Sequence, residues 1–400
     1  MLTGKYFYTS EGVKTQGSIV SRSAINETLV GSKTYSSGYY PTQWTVTSLD
    51  TSDATATRRN IESGYTAYVN GVKITGTATG IVHVLKREKS ISATLSQGRV
   101  NPAATNIGDY VIFAGGYGGA PTTYYDTVDA YNSSLSRLNP RALSVSRGSL
   151  AATSIGNHAL FGGGYDSYGN FYDTVDVYNT SLTKSTAPIL SLARDQLAAA
   201  SNSNYAIFAG GHTQYSYSNV VDAYNSSLIK STPTKLTTAR TNLGAASLNN
   251  YAIFVGGSYY GGDYYDSNLT KTSLNIFGTS PGWLHGTTVG NYALFSGGNN
   301  PKGAVYALDS SLTLVNVSAA LSVARTNVGA ASIGNYAAFA GGDGPNNTVD
   351  AYNTSLIRSI PTVLSVARSS CTGGSIGEYA LFAGGQGSSY HDTIDSYYET

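Results

Sequence analysis

Short apolar segments, separated by small and polar residues, recur along most of this 400-residue chain. In one representative stretch they occupy residues 197–201, 206–209, 220–224 and 229–235. Within such segments apolar residues alternate with polar ones or run in fours, and they do not keep the 3.6-residue spacing of a helix. The pattern therefore predicts short β-strands joined by turns and loops.

A pair of glycines follows the second strand of each such stretch and marks a repeat. The pairs begin at Gly115, Gly163, Gly210, Gly256, Gly297, Gly341 and Gly384. Their intervals are 48, 47, 46, 41, 44 and 43 residues. Short strands repeating at this interval indicate a radial β array, and four antiparallel strands form one propeller blade. We therefore predict an all-β fold, with a seven-bladed β-propeller over residues 81–400.

The two ends of the repeat region complement each other. The last unit stops after its third strand, at residues 393–397, whereas residues 85–96 read like a fourth strand that has no unit of its own. We expect this N-terminal strand to complete the last blade, because closing the ring removes exposed strand edges.

Six units begin with an arginine and carry an aspartate on the third strand. The pairs are Arg99 and Asp129, Arg147 and Asp176, Arg194 and Asp222, Arg240 and Asp263, Arg325 and Asp350, and Arg368 and Asp395. The fifth unit has Pro281 and Tyr306 at these positions, and this joint loss suggests that the two side chains pair. One interpretation is a structural bridge in each blade. The other is an open ring of guanidinium groups that would bind phosphate or carboxylate.

The order of these features resembles the kelch repeat family. In the sixth unit Arg325 leads one strand, residues 339–342 end a second in Gly-Gly, and residues 349–352 end a third in Tyr. The resemblance covers residues 81–400 and implies a propeller, although the tryptophan usual near the kelch fourth strand is missing. Because some kelch domains bind acidic peptides through arginine at this position, the resemblance also supports the open-ring interpretation.

The loops between the second and third strands vary most and are rich in aromatic residues. They contain Tyr117, Tyr124, Tyr125, Tyr165, Tyr168, Phe171, Tyr172, Tyr215, Tyr217, Tyr259, Tyr260, Tyr264, Tyr390 and His391. Tyrosine beside glycine, serine and asparagine gives rigid contact area with adaptable hydrogen bonding, and its ring stacks on sugars. These residues are the predicted ligand-binding face, although some of them would simply pack between loops.

Composition and charge narrow the function. The net charge is +1 and only 12% of residues are charged, so we expect no nucleic-acid partner. Five histidines at unrelated repeat positions and the single Cys371 predict neither a metal site nor another cofactor. Asp166 and Asp173, seven residues apart, are the only candidate for paired catalytic carboxylates, and an ordinary loop explains them better. We find no cleavable leader and no apolar stretch of membrane-spanning length, so neither secretion by that route nor membrane insertion is expected.

The first eighty residues are predicted to form a separate module that contains an internal sequence repeat. Residues 4–18 and 64–77 each read as a β-hairpin, and residues 54–62 as a short helix. Residues 54–77 resemble a segment common in tail proteins of phages that infect Gram-positive bacteria. The resemblance implies a virion tail protein, made in the host cytoplasm and extracellular once assembled, whose residues 1–80 attach to the tail or baseplate.

These observations predict a phage tail fibre or receptor-binding protein. Its N-terminal module would attach or oligomerise, with a homotrimer as the candidate assembly, and its propeller would recognise a bacterial surface polysaccharide without catalysis. A phosphate-bearing wall polymer is one candidate receptor. A noncatalytic bacterial adhesin or carbohydrate-binding propeller is the first alternative, and a glycan-processing propeller enzyme is the second.

Overall fold

The computed structural model describes residues 84–88, 93–317 and 319–400, together with six short strands that precede them. Those six strands form three antiparallel pairs: Tyr6–Tyr8 with Lys14–Gln16, Lys33–Tyr35 with Trp44–Val46, and Thr66–Val69 with Val72–Thr75. The chain divides into two compact units, residues 1–82 and 83–400. The helix predicted over residues 54–62 lies outside the described residues.

Seven antiparallel blades and one short strand pair, Tyr117–Gly118 with Thr123–Tyr124, make up the sheets of the described part of the second unit, so the predicted seven-bladed propeller is confirmed. The first strands, which are innermost, are Ala103–Ile107, Ala151–Ile155, Ala198–Ser201, Leu243–Leu248, His285–Val289, Gly329–Ile333 and Thr372–Ile376. The second strands are Tyr110–Ala114, His158–Gly162, Tyr205–Ala209, Tyr251–Gly256, Tyr292–Ser296, Tyr336–Ala340 and Tyr379–Ala383. The third strands are Val128–Asn132, Val175–Asn179, Val221–Asn225, Gly262–Tyr265, Val305–Leu308, Val349–Asn353 and Thr393–Glu399. The fourth strands are Arg137–Leu138, Lys184–Thr186, Lys230–Ser231, Lys271–Leu274, Leu314–Val315, Arg358–Ser359 and, for the last blade, Leu85–Arg87.

The ring closes through the N-terminal strand, as predicted. Thr393–Glu399 pairs with Leu85–Arg87 in antiparallel register, and Ala93–Thr94 pairs with the beginning of the same strand. Val84 and Thr400 exchange backbone hydrogen bonds of 3.4 and 3.1 Å just beyond this pairing. The last blade therefore takes strands from both ends of the propeller sequence. Blades are numbered one to seven, starting with the blade whose first strand begins at Ala103.

Small residues on the first strands allow neighbouring blades to approach closely near the axis. An added Cβ at Gly286 would overlap the carbonyl oxygen of Ala245, and one at Gly373 would overlap that of Ala330. Larger side chains at these positions would push blades apart, which explains the small-residue runs seen in the sequence.

Farther from the axis, one aromatic pair recurs in six blades. A phenylalanine of the second strand meets a tyrosine of the third edge to face, as Phe208 and Tyr224 do with ring centroids 6.0 Å apart. The equivalent pairs are Phe113 and Tyr131, Phe161 and Tyr178, Phe254 and Tyr265, Phe339 and Tyr352, and Phe382 and Tyr397. The Tyr224 hydroxyl donates to the Pro188 carbonyl at 2.8 Å, so the buried phenol is satisfied.

The double glycines join consecutive blades. Gly115 and Gly116 have φ of +68° and +98°, a region that residues with a Cβ enter at a cost. The Gly116 N–H donates to the Arg147 carbonyl of the next blade at 3.0 Å, and a Cβ on Gly115 would lie 2.6 Å from that carbonyl oxygen. The repeated glycines are therefore required by close backbone approach. No helix in the described part of the chain is both long and apolar enough to cross a membrane.

Candidate functional site

The structure brings each arginine of the repeat into contact with its aspartate. The shortest nitrogen–oxygen distances are 2.8 Å for Arg99–Asp129, 2.9 Å for Arg147–Asp176, 2.9 Å for Arg194–Asp222, 2.8 Å for Arg240–Asp263, 2.8 Å for Arg325–Asp350 and 2.8 Å for Arg368–Asp395. All six arginine side chains have zero exposed area. This is the geometry of a structural bridge, and it leaves none of the six guanidinium groups open to a ligand.

Each aspartate is also held by groups that the sequence pattern did not reveal. In blade three, Asp222 accepts hydrogen bonds from the Ser191 N–H at 3.1 Å and the Ser191 hydroxyl at 2.5 Å. The Lys230 ammonium, on the outer strand, lies 3.5 Å away. Arg194 also donates to the carbonyls of Leu192 and Phe208. The recurring serine or threonine three residues before the arginine was the available signal.

Blade five has an apolar contact in place of the ion pair. Tyr306 lies opposite Phe295 in the sheet register, where other blades have aspartate opposite phenylalanine. The Phe277 and Tyr306 ring centroids are 4.5 Å apart. Pro281 occupies the position of the arginine. Its carbonyl accepts the N–H of Gly257 in the preceding blade, as the carbonyl of Arg147 accepts the N–H of Gly116. Blade five is therefore the exception within the ring.

Two residues after each arginine position, one residue per blade adopts a left-handed backbone conformation. The seven are Asn101, Ser149, Gln196, Asn242, Trp283, Asn327 and Ser370, with φ between +48° and +64°. Five of them donate their N–H to the carbonyl of the equivalent residue in the preceding blade, at 2.9–3.2 Å. The seven residues thus encircle the axis, and we call them the axial ring.

The axial ring lines a central cavity of about 560 Å³, which Tyr117, Tyr165 and His285 also line. No lysine, arginine, aspartate or glutamate of the described residues lines this cavity. Its wall instead offers amide and hydroxyl groups interrupted by apolar and aromatic surface. Such a volume is typical of small-molecule pockets, and such a lining suits an uncharged polar ligand.

Blade five contributes the two most unusual groups in the cavity wall. Trp283 is 46% exposed and has φ of +64°, an uncommon conformation for a bulky residue. His285 lies opposite Ser296, the residue before the double glycine, and the other blades have alanine, glycine or threonine at this register position. Burial lowers the pKa of His285 to about 4, so its ring is neutral at pH 7. Sequence reasoning missed both residues, although the exceptional fifth unit pointed to them.

Several of the predicted face residues form one continuous strip, which we call the aromatic arc. Ring centroids are 5.3 Å apart for Tyr117–Tyr124, 5.0 Å for Tyr124–Tyr165, 6.0 Å for Tyr165–Phe171, 5.6 Å for Phe171–His212 and 5.9 Å for His212–Tyr217. The arc crosses blades one to three, and Tyr117 and Tyr165 also line the cavity. Cavity and arc therefore share one face of the propeller. His212 is a member that the sequence did not indicate.

The remaining predicted face residues have other surroundings. Tyr168, Tyr215 and Tyr260 are exposed, by 88%, 88% and 52%. Tyr259 contacts both Tyr260 and the Arg240 guanidinium. Tyr264 lies on the third strand of blade four, not in the predicted loop, and its ring centroid is 5.1 Å from that of Tyr251. The others are partly buried, and these are Tyr125, Tyr172, Tyr390 and His391.

Asp166, one of the two suggested catalytic carboxylates, organises the blade-two loop. Its oxygens accept bonds from the Tyr172 hydroxyl at 2.6 Å, the Asn170 side-chain amide at 3.0 Å and the N–H groups of Tyr168 and Asn170. Burial opposes ionisation, but these donors outweigh it and hold the pKa of Asp166 below its usual range. The geometry favours a loop-ordering role over general acid catalysis.

Asp195, beside the axial-ring residue Gln196, is the one charged residue at its repeat position. It is 3% exposed, its carboxylate lies 3.5 Å from the His212 ring, and Asp195 and His212 exchange backbone hydrogen bonds. Burial raises the pKa of Asp195 to about 6, and His212 only partly opposes this. The ionised carboxylate of Asp195 therefore destabilises the folded protein at neutral pH. Such a shift is more typical of a functional site than of a residue that stabilises the fold.

We expect Asp195→Asn to stabilise the protein at pH 7 by about 1 kcal/mol. The pKa of Asp195 is higher in the folded than in the unfolded protein. Its destabilising effect on folding therefore develops as pH rises from about 4 to about 6 and stays constant above that. Urea unfolding of both proteins across this range measures the difference. A variant that is less stable at pH 7, or a difference independent of pH, would contradict the assignment.

A scan against protein-family models and a search of curated protein sequences both find no match to this chain. Its function must therefore be inferred from the fold and from the geometry of the site.

Proposed function

We propose that the propeller binds a bacterial surface glycan on the face that carries the central cavity and the aromatic arc. The observation that carries this proposal is the uncharged, hydrogen-bonding cavity, which is continuous with a strip of aromatic rings. A sugar presents C–H groups on its faces and hydroxyls around its edge. Aromatic rings match the faces, and amide and hydroxyl side chains match the edge, so this wall is chemically complementary to a saccharide.

The size and shape of the two features favour a chain of sugars over a single small ligand. The cavity lies on the axis, and the arc leads outward from Tyr117 and Tyr165 to Tyr217 across three blades. A polysaccharide would place one residue in the cavity and others along the arc. Individually weak contacts would then add up over several sugar residues.

We further propose that this protein is a phage tail fibre or receptor-binding protein. Support comes from residues 54–77, which resemble tail proteins of phages of Gram-positive bacteria, and from the central cavity and aromatic arc, whose chemistry suits glycan binding. Residues 1–80 would attach to tail or baseplate proteins, with a homotrimer as the candidate assembly, and the virion tail would be the location. The proposed role is host cell attachment without glycan cleavage.

This function predicts adsorption of the fluorescently labelled full-length protein to cell walls from a panel of Gram-positive bacteria. Periodate oxidation of the walls, which cleaves vicinal diols of sugars, should abolish binding, whereas protease treatment should not. Asp173→Asn should leave adsorption unchanged, since Asp173 lies in a loop and outside the cavity wall.

Three outcomes would count against this function. Adsorption that resists periodate but not protease would indicate a protein receptor. Release of soluble sugars that ceases in Asp166→Asn or Asp173→Asn would favour the glycan-processing enzyme. Antibodies against the propeller that label bacterial cells but no tail particle would favour the adhesin.

A further inference from the structure

We propose that the axial cavity is the specificity site of the propeller and takes one uncharged sugar residue, with Trp283 as its stacking surface and His285 and Asn327 as hydrogen-bonding partners. This assignment rests on the proposed glycan-binding function and names the ligand class for one part of the face. It also makes blade five, the unit that departs from the repeat, the source of specificity.

The conformation of Trp283 is the first argument. The other six axial-ring residues are asparagine, serine or glutamine, and asparagine in particular tolerates a positive φ. A tryptophan there is strained, and such strain concentrates at functional sites. Trp283 is 46% exposed and lines the cavity, so burial does not explain its presence.

The position of Trp283 across the axis is the second argument. In a closed ring of seven, blade five faces the junction of blades one and two. Those two blades contribute Tyr117 and Tyr165 to the cavity wall. A sugar ring in the cavity would therefore have aromatic surface on opposite sides, which is the arrangement that suits its two C–H faces.

The third argument concerns the free polar groups near Trp283. His285 has no hydrogen-bond partner for its ring nitrogens among the described residues, and the Asn327 amide of the adjacent blade likewise has none. By contrast, Gln196 across the cavity is already engaged, since its side-chain oxygen accepts from Thr241 and Asn242 at 3.1 and 3.0 Å. Two polar groups available to a ligand, the His285 ring and the Asn327 amide, thus lie in the blade of the tryptophan and the next one.

The absence of charge in the described cavity wall is the fourth argument and selects the ligand class. The six repeat arginines have zero exposure and are paired with aspartates. A phosphate or carboxylate entering the cavity would lose hydration without gaining a counterion, which is strongly unfavourable. A neutral sugar loses only hydrogen bonds that amides and hydroxyls replace. The candidate phosphate-bearing polymer would thus have to present an unphosphorylated residue here.

Tryptophan fluorescence gives a direct test, because the chain contains only Trp44 and Trp283. In full-length protein carrying Trp44→Phe, all tryptophan emission reports on the cavity. We would titrate it with methyl glycosides of glucose, galactose, N-acetylglucosamine and rhamnose, and with glucuronic acid and N-acetylglucosamine 6-phosphate. At least one neutral glycoside should shift the emission, and its charged analogue should bind at least tenfold more weakly.

Calorimetry on variants then separates binding from folding. Trp283→Gly should weaken binding of the responding glycoside at least tenfold while its unfolding temperature stays the same or rises, because glycine relieves the positive φ. His285→Ala should also weaken binding. Ile229→Ala, at a residue that is 62% exposed and belongs to neither the cavity wall nor the arc, is the control and should leave monosaccharide affinity unchanged.

The outcomes distinguish this assignment from the function on which it rests. Equal binding of the charged analogues, undiminished binding by Trp283→Gly, or no response to any neutral glycoside in a protein that still adsorbs to walls would overturn the cavity assignment alone. Failure of the wild-type protein to adsorb to any wall in the panel would instead overturn the proposed function.

Discussion

Leu85→Asp is expected to open the propeller ring and to lower the free energy of unfolding by about 4 kcal/mol or more. Leu85 is 4% exposed and belongs to a buried cluster with Leu364 and Tyr397. Leu85 also belongs to the strand Leu85–Arg87, which pairs with the last three residues of Thr393–Glu399. A carboxylate at this position would be desolvated without a partner, so the strand would detach.

The next residue along the strand provides the control. Lys86 is exposed and pairs with Tyr398 in the same ladder, so Lys86→Asp should change stability by no more than about 0.5 kcal/mol. Urea unfolding measures both variants, and hydrogen exchange should show that amides of Thr393–Glu399 lose protection first in Leu85→Asp. Equal unfolding midpoints for the two variants would show that the ring does not depend on this strand.

The architecture could be predicted because its signals are local and repeated. The double glycines recur since the first glycine of every pair has a positive φ, and all the second ones except Gly298 do as well, so they mark every blade independently. Closure could be predicted from two complementary features, a last repeat without a fourth strand and an additional strand that begins at residue 85. Strand ends were less accurate: the strand expected over residues 229–235 is only Lys230–Ser231, because few of its residues reach the neighbouring strand.

The cavity was harder to predict because it exists only after closure. Trp283, His285 and Asn327 lie in adjacent blades, whereas Tyr117 and Tyr165 lie in blades one and two, on the opposite side of the ring. No local sequence pattern links the two groups. The tyrosine-rich loops were visible in the sequence, whereas the axial ring was not. Serine, glutamine and tryptophan carry no signal for a positive φ, so only the exceptional composition of the fifth unit marked this region.

The buried ion pairs lead to a second large expected effect, in which the aspartate matters more than the arginine. Asp222→Asn should cost about 3–5 kcal/mol, because it leaves the Arg194 guanidinium buried without a counterion and places amide hydrogens against the Ser191 donors. Burial already lowers the pKa of Arg194, which shows how poorly this environment supports an unpaired cation. The substitution keeps side-chain volume, so packing is held constant.

Arg194→Met should cost less, about 2 kcal/mol, because Asp222 then still has the Lys230 ammonium at 3.5 Å and both Ser191 donors. Lys230 itself is 23% exposed, and Lys230→Met should cost under about 1 kcal/mol.

A double-mutant cycle measured by urea unfolding tests whether the two charges act as a pair. Asp222→Asn in the Arg194→Met background should be milder than alone, with a coupling energy of about 2 kcal/mol, since no buried cation remains to be left unpaired. Blade five of the native protein lacks both charges, since Pro281 and Tyr306 occupy the positions of the arginine and the aspartate. Additive costs, or an arginine variant less stable than the aspartate variant, would mean that packing rather than charge pairing governs this cluster.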